Sequence, residues 1–96
     1  FITPDIRLPA ASEGVAALLA RVREAFPPDR VEDLDGIRVR FDRGWGLLRA
    51  SITEPGITLR FEGEDADALR EVAEAFLAPL PEVREAALRA GIDTAQ

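Results

Sequence analysis

The stretch Arg49-Ala50-Ser51-Ile52-Thr53-Glu54-Pro55-Gly56 holds the side chains best suited to chemistry. Arg49 offers a planar fork of N–H donors that matches a phosphate or carboxylate, and Ser51 and Thr53 add two hydroxyls. Pro55-Gly56 is a turn signal, and a turning backbone can aim several amide N–H groups at one point. Together these residues make a candidate anion cradle. The competing reading is local: Ser51 and Thr53 tie down their own turn, and Arg49 pairs with Glu54 or another acid.

The composition limits what else the chain can do. It has no histidine and no cysteine, which removes the commonest general base, thiolate metal sites and any disulfide framework. The net charge of −6 argues against a nucleic-acid partner, which needs a broad basic surface, so any anion site is local. No apolar run is long enough to cross a bilayer, so no membrane partner and a cytoplasmic location are expected. All 12 basic residues are arginine. The acidic run Glu62 to Asp67 lacks the alternating ligands of a calcium loop and reads as a helix start. Asp33 and Asp35 read as a solvated turn.

The elements that must position the cradle follow from periodicity. Pro4 to Pro9 gives a short strand whose flanking prolines suit an edge. Ser12 as N-cap opens a helix to about Phe26, with Val15, Leu18, Leu19, Val22 and Phe26 on one stripe, and Pro27-Pro28 ends it. A charged connector, Arg30 to Asp35, follows. The period then becomes two: Ile37, Val39 and Phe41 oppose Arg38, Arg40 and Asp42. Asp42-Arg43-Gly44 signals a hairpin, the strand Trp45 to Ala50 returns, and Ile57, Leu59 and Phe61 mark a third strand of an antiparallel meander. Acids at 64–67 start a second helix with Leu69, Val72, Ala73, Phe76 and Leu80 on its stripe. Glu82 to Ala90 has a weak stripe and is expected to fray or dock elsewhere; 91–96 is expected to be a disordered tail.

Two positions carry open readings. Arg38, Arg40 and Arg60 form a basic patch if their strands are neighbours, or a solvated sheet face balanced by Asp42 and Glu62. Trp45 is core or, if it shares a face with Leu47 and Arg49, an interdomain contact; core is favoured, since single exposed aromatics are a weak signal.

The order β-α-β-β-β-α gives a two-layer α+β domain, and 96 residues make one domain, too small to divide. The string Trp45-Gly46-Leu47-Leu48-Arg49-Ala50-Ser51-x-Thr53-Glu54-Pro55, preceded by Asp35-Gly36-Ile37-Arg38-Val39 and followed by Leu59-Arg60-Phe61-Glu62, resembles the C-terminal domain of the phosphoglucomutase/phosphomannomutase branch of the α-D-phosphohexomutases. The resemblance runs from about Asp35 to Phe76. It implies a TATA-binding-protein-like fold, with a four-stranded antiparallel sheet and two helices on one face, and a chain that is one domain of four.

In such enzymes a phosphoserine of the first domain exchanges its phosphoryl group with a hexose phosphate, beside a magnesium ion held by the second domain. The last domain grips the non-reacting phosphate of the phosphosugar and closes the cleft. Arg49, Ser51 and Thr53 fall on its phosphate-contacting positions. Ile52 stands where the family usually has asparagine, and Gly56 where a bulkier apolar residue is common. The resemblance places no catalytic residue, metal ligand or cofactor in this chain, and the domain alone is expected to lack turnover. A non-catalytic anion-binding or structural docking module is the alternative.

Overall fold

A computed structural model describes residues 1–3, 6–10, 12–33, 36–51 and 55–89, without the side chains of Ser12 and Glu13. Ile52, Thr53, Glu54, Asp35 and the tail 91–96 lie outside the described residues. The elements are β1 (Ile6–Pro9), α1 (Ser12–Ala25), a 3-10 turn (Pro28–Arg30), β2 (Val31–Asp33), β3 (Ile37–Phe41), β4 (Gly44–Ala50), β5 (Gly56–Gly63), α2 (Ala66–Leu77) and α3 (Pro81–Arg89). The strands form one antiparallel sheet in the order β1-β5-β4-β3-β2. No helix among the described residues is long and apolar enough to cross a membrane.

The α+β architecture agrees with the sequence, but the strand count is five rather than four and the helix count three rather than two. The extra strand, β2, comes from the charged connector. Its three residues pair with Ile37, Arg38 and Val39, and Glu32 accepts hydrogen bonds or ion pairs from Arg38 and Arg40. Glu32 is held below the usual carboxylate range, first by the Arg38 hydrogen bond and then, against desolvation, by the charges of Arg38 and Arg40. β1 takes the edge position, and the chain before it continues along β5, where Thr3 exchanges hydrogen bonds with the Phe61 backbone.

One sheet face carries the core. Ile37, Val39, Leu48, Ile57, Leu59 and Phe61 are fully buried against Val22 of α1, Val72 and Phe76 of α2, and Leu80. Phe76 lies edge-on to Phe61 at 5.5 Å and can come this close to the sheet because position 46 is glycine. A β-carbon at Gly46 would stand 2.6 Å from the Phe76 ring.

α2 opens with Asp65 as N-cap, whose carboxylate accepts from the Ala68 amide at 2.8 Å. The acids near the helix start also pair with Arg43 of the β3–β4 turn, at 2.8 Å from Asp65 and 3.8 Å from Glu64. Of the two expectations for 82–90, fraying or docking elsewhere, neither describes α3: Val83 and Ala87 enter the same core. Arg21 of α1 donates to both Glu82 oxygens and to the Pro79 carbonyl, and Arg84 pairs with Glu74.

Trp45 is not core. Gly44, Gly46, Leu48 and Ala50 alternate toward the helices, so Trp45, Leu47 and Arg49 turn to the opposite, uncovered face. There Trp45 is half-buried, donating its indole N–H to Glu62 at 2.9 Å with the Arg38 guanidinium 5.8 Å from the ring centroid.

Candidate anion site

Arg49 stands directly opposite Thr58 on β5, and Thr58 in turn stands opposite Arg7 on β1. Two arginines therefore flank one threonine in a row across the open face. Ser51, two residues beyond Arg49, shares that face by alternation, and its Oγ lies 3.1 Å from Thr58 Oγ1. The structure thus brings together two of the side chains expected to bind an anion, Arg49 and Ser51. The expected positions Ile52 and Thr53 lie outside the described residues, as does Glu54, the proposed local partner of Arg49.

The base of the loop is fixed on both sides. The Ser51 amide donates to the Gly56 carbonyl at 2.9 Å, closing the β4–β5 connection, and the Ala10 amide donates to the Pro55 carbonyl at 3.4 Å, tying the end of β1 to the same loop. Both strands are long, seven and eight residues, and lie inside the sheet, so the loop extends from its best-supported pair.

Gly36 packs against the other side of Arg49. Its φ of +119° is one that side chains rarely adopt, and a β-carbon there would stand 2.6 Å from Arg49 Cβ and 2.8 Å from the Leu48 carbonyl oxygen. Glycine at 36 is what lets the chain entering β3 lie against the Arg49 backbone. Sequence reasoning did not single out Gly36 or Thr58. The available signals were a glycine just before an alternating strand, and a hydroxyl where the polar face of β5 otherwise carries Arg60 and Glu62.

The open face is locally basic in a chain of net charge −6. Arg7, Arg38, Arg40, Arg49 and Arg60 stand there against Glu32 and Glu62. The strands carrying Arg38 and Arg60 flank β4 rather than each other, with Leu47 between the two arginines. Arg38 and Arg40 converge on Glu32, while Asp42 pairs with Arg30 at 2.9 Å instead. Among the described residues no three carboxylate, histidine or cysteine side chains converge as metal ligands.

The family described as "Phosphoglucomutase/phosphomannomutase, C-terminal domain" matches residues 3–78. A phosphomannomutase/phosphoglucomutase of Pseudomonas aeruginosa is 36% identical over 76 residues, covering 77% of this chain and 16% of that protein. A phosphoglucomutase of Neisseria meningitidis is 38% identical over 80 residues, 79% of this chain and 17% of that one. A solved phosphoglucomutase/phosphomannomutase family protein from Burkholderia thailandensis superposes on 88% of this chain and 18% of its own length, with a TM-score of 0.64 and 29% identity. The chain spans about one-sixth of the length of the curated relatives it matches.

Proposed function

Because the chain belongs to the phosphoglucomutase/phosphomannomutase C-terminal domain family, we propose that it binds the non-reacting phosphate of a phosphosugar and closes the active site of a larger enzyme. That enzyme interconverts hexose 1-phosphate and 6-phosphate in the cytoplasm, and three further domains supply the phosphoserine and the magnesium. Arg49, Ser51 and Thr53 are the phosphate ligands, assisted by the backbone N–H of Ile52. The TATA-binding-protein-like description fits a sheet with one covered and one open face.

The observation that carries the reading is the placement of Arg49 and the Ser51 hydroxyl on one open face, at the mouth of a loop whose base is closed by Ser51–Gly56 and Ala10–Pro55 hydrogen bonds. A guanidinium supplies charge and paired N–H donors, and a hydroxyl supplies a third donor. The family resemblance assigns the phosphoryl-carrying serine to another domain, so the contribution of this set is to hold and orient the substrate.

The test is Arg49→Ala in the full-length protein, titrated with glucose 1-phosphate by calorimetry. A charge-assisted hydrogen bond contributes about 1.5–3 kcal/mol, so affinity is expected to fall about tenfold or more. Equal affinity of variant and parent overturns the assignment.

A further inference from the structure

Thr58 is one of two polar residues in the described interior, the other being Thr3, and it retains 4% of its accessible surface although its face of the sheet is open. We propose that Thr58 is a positioning residue of the anion site, whose hydroxyl donates to Ser51 Oγ so that the Ser51 proton points outward to a phosphate oxygen. The inference rests on reading Arg49 and Ser51 as phosphate ligands.

The argument is one of donor polarity. Each hydroxyl has a single proton and two acceptor lone pairs, and the 3.1 Å contact between Ser51 Oγ and Thr58 Oγ1 can run either way. A phosphate dianion offers acceptors only. If Ser51 spent its proton on Thr58, it would present lone pairs to the ligand and repel it. If Thr58 donates, Ser51 keeps its proton for the ligand, and its oxygen is polarised into a stronger donor.

The surroundings of Thr58 favour the second arrangement. Arg49 and Arg7 stand opposite Thr58 on its two neighbouring strands, and a guanidinium only donates, so neither can take up the Thr58 proton. Ser51 lies along the strand direction, toward the loop, where the Thr58 proton can be accepted. A β-branched side chain in a strand has little χ1 freedom, which holds the donor in place before ligand arrives.

The experiment is a double-mutant cycle in the full-length protein, titrated with inorganic phosphate and with glucose 1-phosphate. Thr58→Val removes the hydroxyl at nearly constant volume and is expected to weaken binding about fivefold, while Thr58→Ser stays within about twofold of the parent. Ser51→Ala is expected to lose at least as much, and adding Thr58→Val to it to cost nothing further, because the threonine then has no hydroxyl to orient. Parent-like affinity of Thr58→Val overturns the inference, and so does an undiminished loss in the Ser51→Ala background. If the valine variant does not fold, Thr58→Ala, which also lacks the hydroxyl, takes its place in the cycle. Arg49→Ala run in parallel separates the two levels: no effect there sinks the phosphate site itself, whereas a loss there beside parent-like Thr58→Val sinks only the role of Thr58.

Discussion

The sharpest perturbation available away from the proposed anion-binding side chains is Gly36→Ala. The added β-carbon would meet Arg49 Cβ at 2.6 Å, Leu48 O at 2.8 Å and Arg49 Cα at 3.0 Å. Carbon pairs rest at about 3.5–4.0 Å, so the ends of β3 and β4 must separate by roughly 1 Å. The φ of +119° adds a second cost, since an L side chain held in such a region is strained by about 1–3 kcal/mol. Crowding of this kind adds about 1–3 kcal/mol. One shift of the strand end relieves both in part, so the net loss is about 2–3 kcal/mol, nearer the lower sum. A domain of this size loses about 4–8 °C per kcal/mol, which places the melting temperature about 10–20 °C below the parent. The shift displaces the backbone of Arg49, so phosphate affinity in the full-length protein should fall as well. Thermal melts followed by circular dichroism test this, with Gly14→Ala as the control. That position meets nothing within 4 Å and lies in α1, where alanine is favoured by up to about 1 kcal/mol. A Gly36→Ala variant melting within about 2 °C of the parent would refute both the close approach and the strained backbone.

Two further perturbations test the scaffold. Gly46→Ala sets a β-carbon 2.6 Å from Phe76 Cδ2 and 3.1 Å from Phe61 Cδ1, and is expected to cost about 1–3 kcal/mol in a denaturant titration; an unchanged midpoint would show that the ring pair can move aside. Asp65 is held below the usual carboxylate range, first by the Ala68 amide hydrogen bond and then, against desolvation, by the charge of Arg43. A depressed folded-state value means that the stabilisation is present above the unfolded value, about 3.9, and is lost as pH falls through the folded one. Asp65→Ala should therefore lower the melting temperature at neutral pH and converge with the parent in acid; a gap independent of pH would contradict the assignment.

What the sequence made legible was whatever its periodicity encodes. Val15 and Val22 of α1, and Val72, Ala73 and Phe76 of α2, were placed on their stripes because 3.6-residue spacing leaves one apolar face. β2 was not legible, since Val31-Glu32-Asp33 has no alternation to read and becomes a strand only by pairing with β3, with Glu32 taking up Arg38 and Arg40. Trp45 was misassigned for a related reason. In Gly44-Trp45-Gly46-Leu47 the core-facing positions are glycines, left empty for Phe76 and for the neighbouring backbone, so the apolar signal falls on the wrong face. α3 looked too weak in isolation because part of its support is the long-range pairing of Arg21 with Glu82 and of Arg84 with Glu74. At the candidate site, Arg49 and Ser51 were singled out by side-chain type and spacing, and the fold brings them to one face. Thr58 was not, because a threonine on the polar face of a strand looks like any solvated one until register sets it between two arginines.

The placement of the loop has an energetic consequence for binding. A ligand gripped by a loop must offset the entropy of ordering that loop, and the surplus alone appears as affinity. Here the loop base is closed before any ligand arrives: Ser51 is bonded to Gly56 through the backbone and to Thr58 through its hydroxyl, and Pro55 is bonded to Ala10. Arg49 is held between Thr58 on β5 and the glycine that precedes β3, within the sheet rather than at its edge. Two of the proposed ligands therefore leave the end of an interior strand, which pre-orients them for a ligand. All three helices pack on the opposite face, so among the described residues no helix covers these side chains.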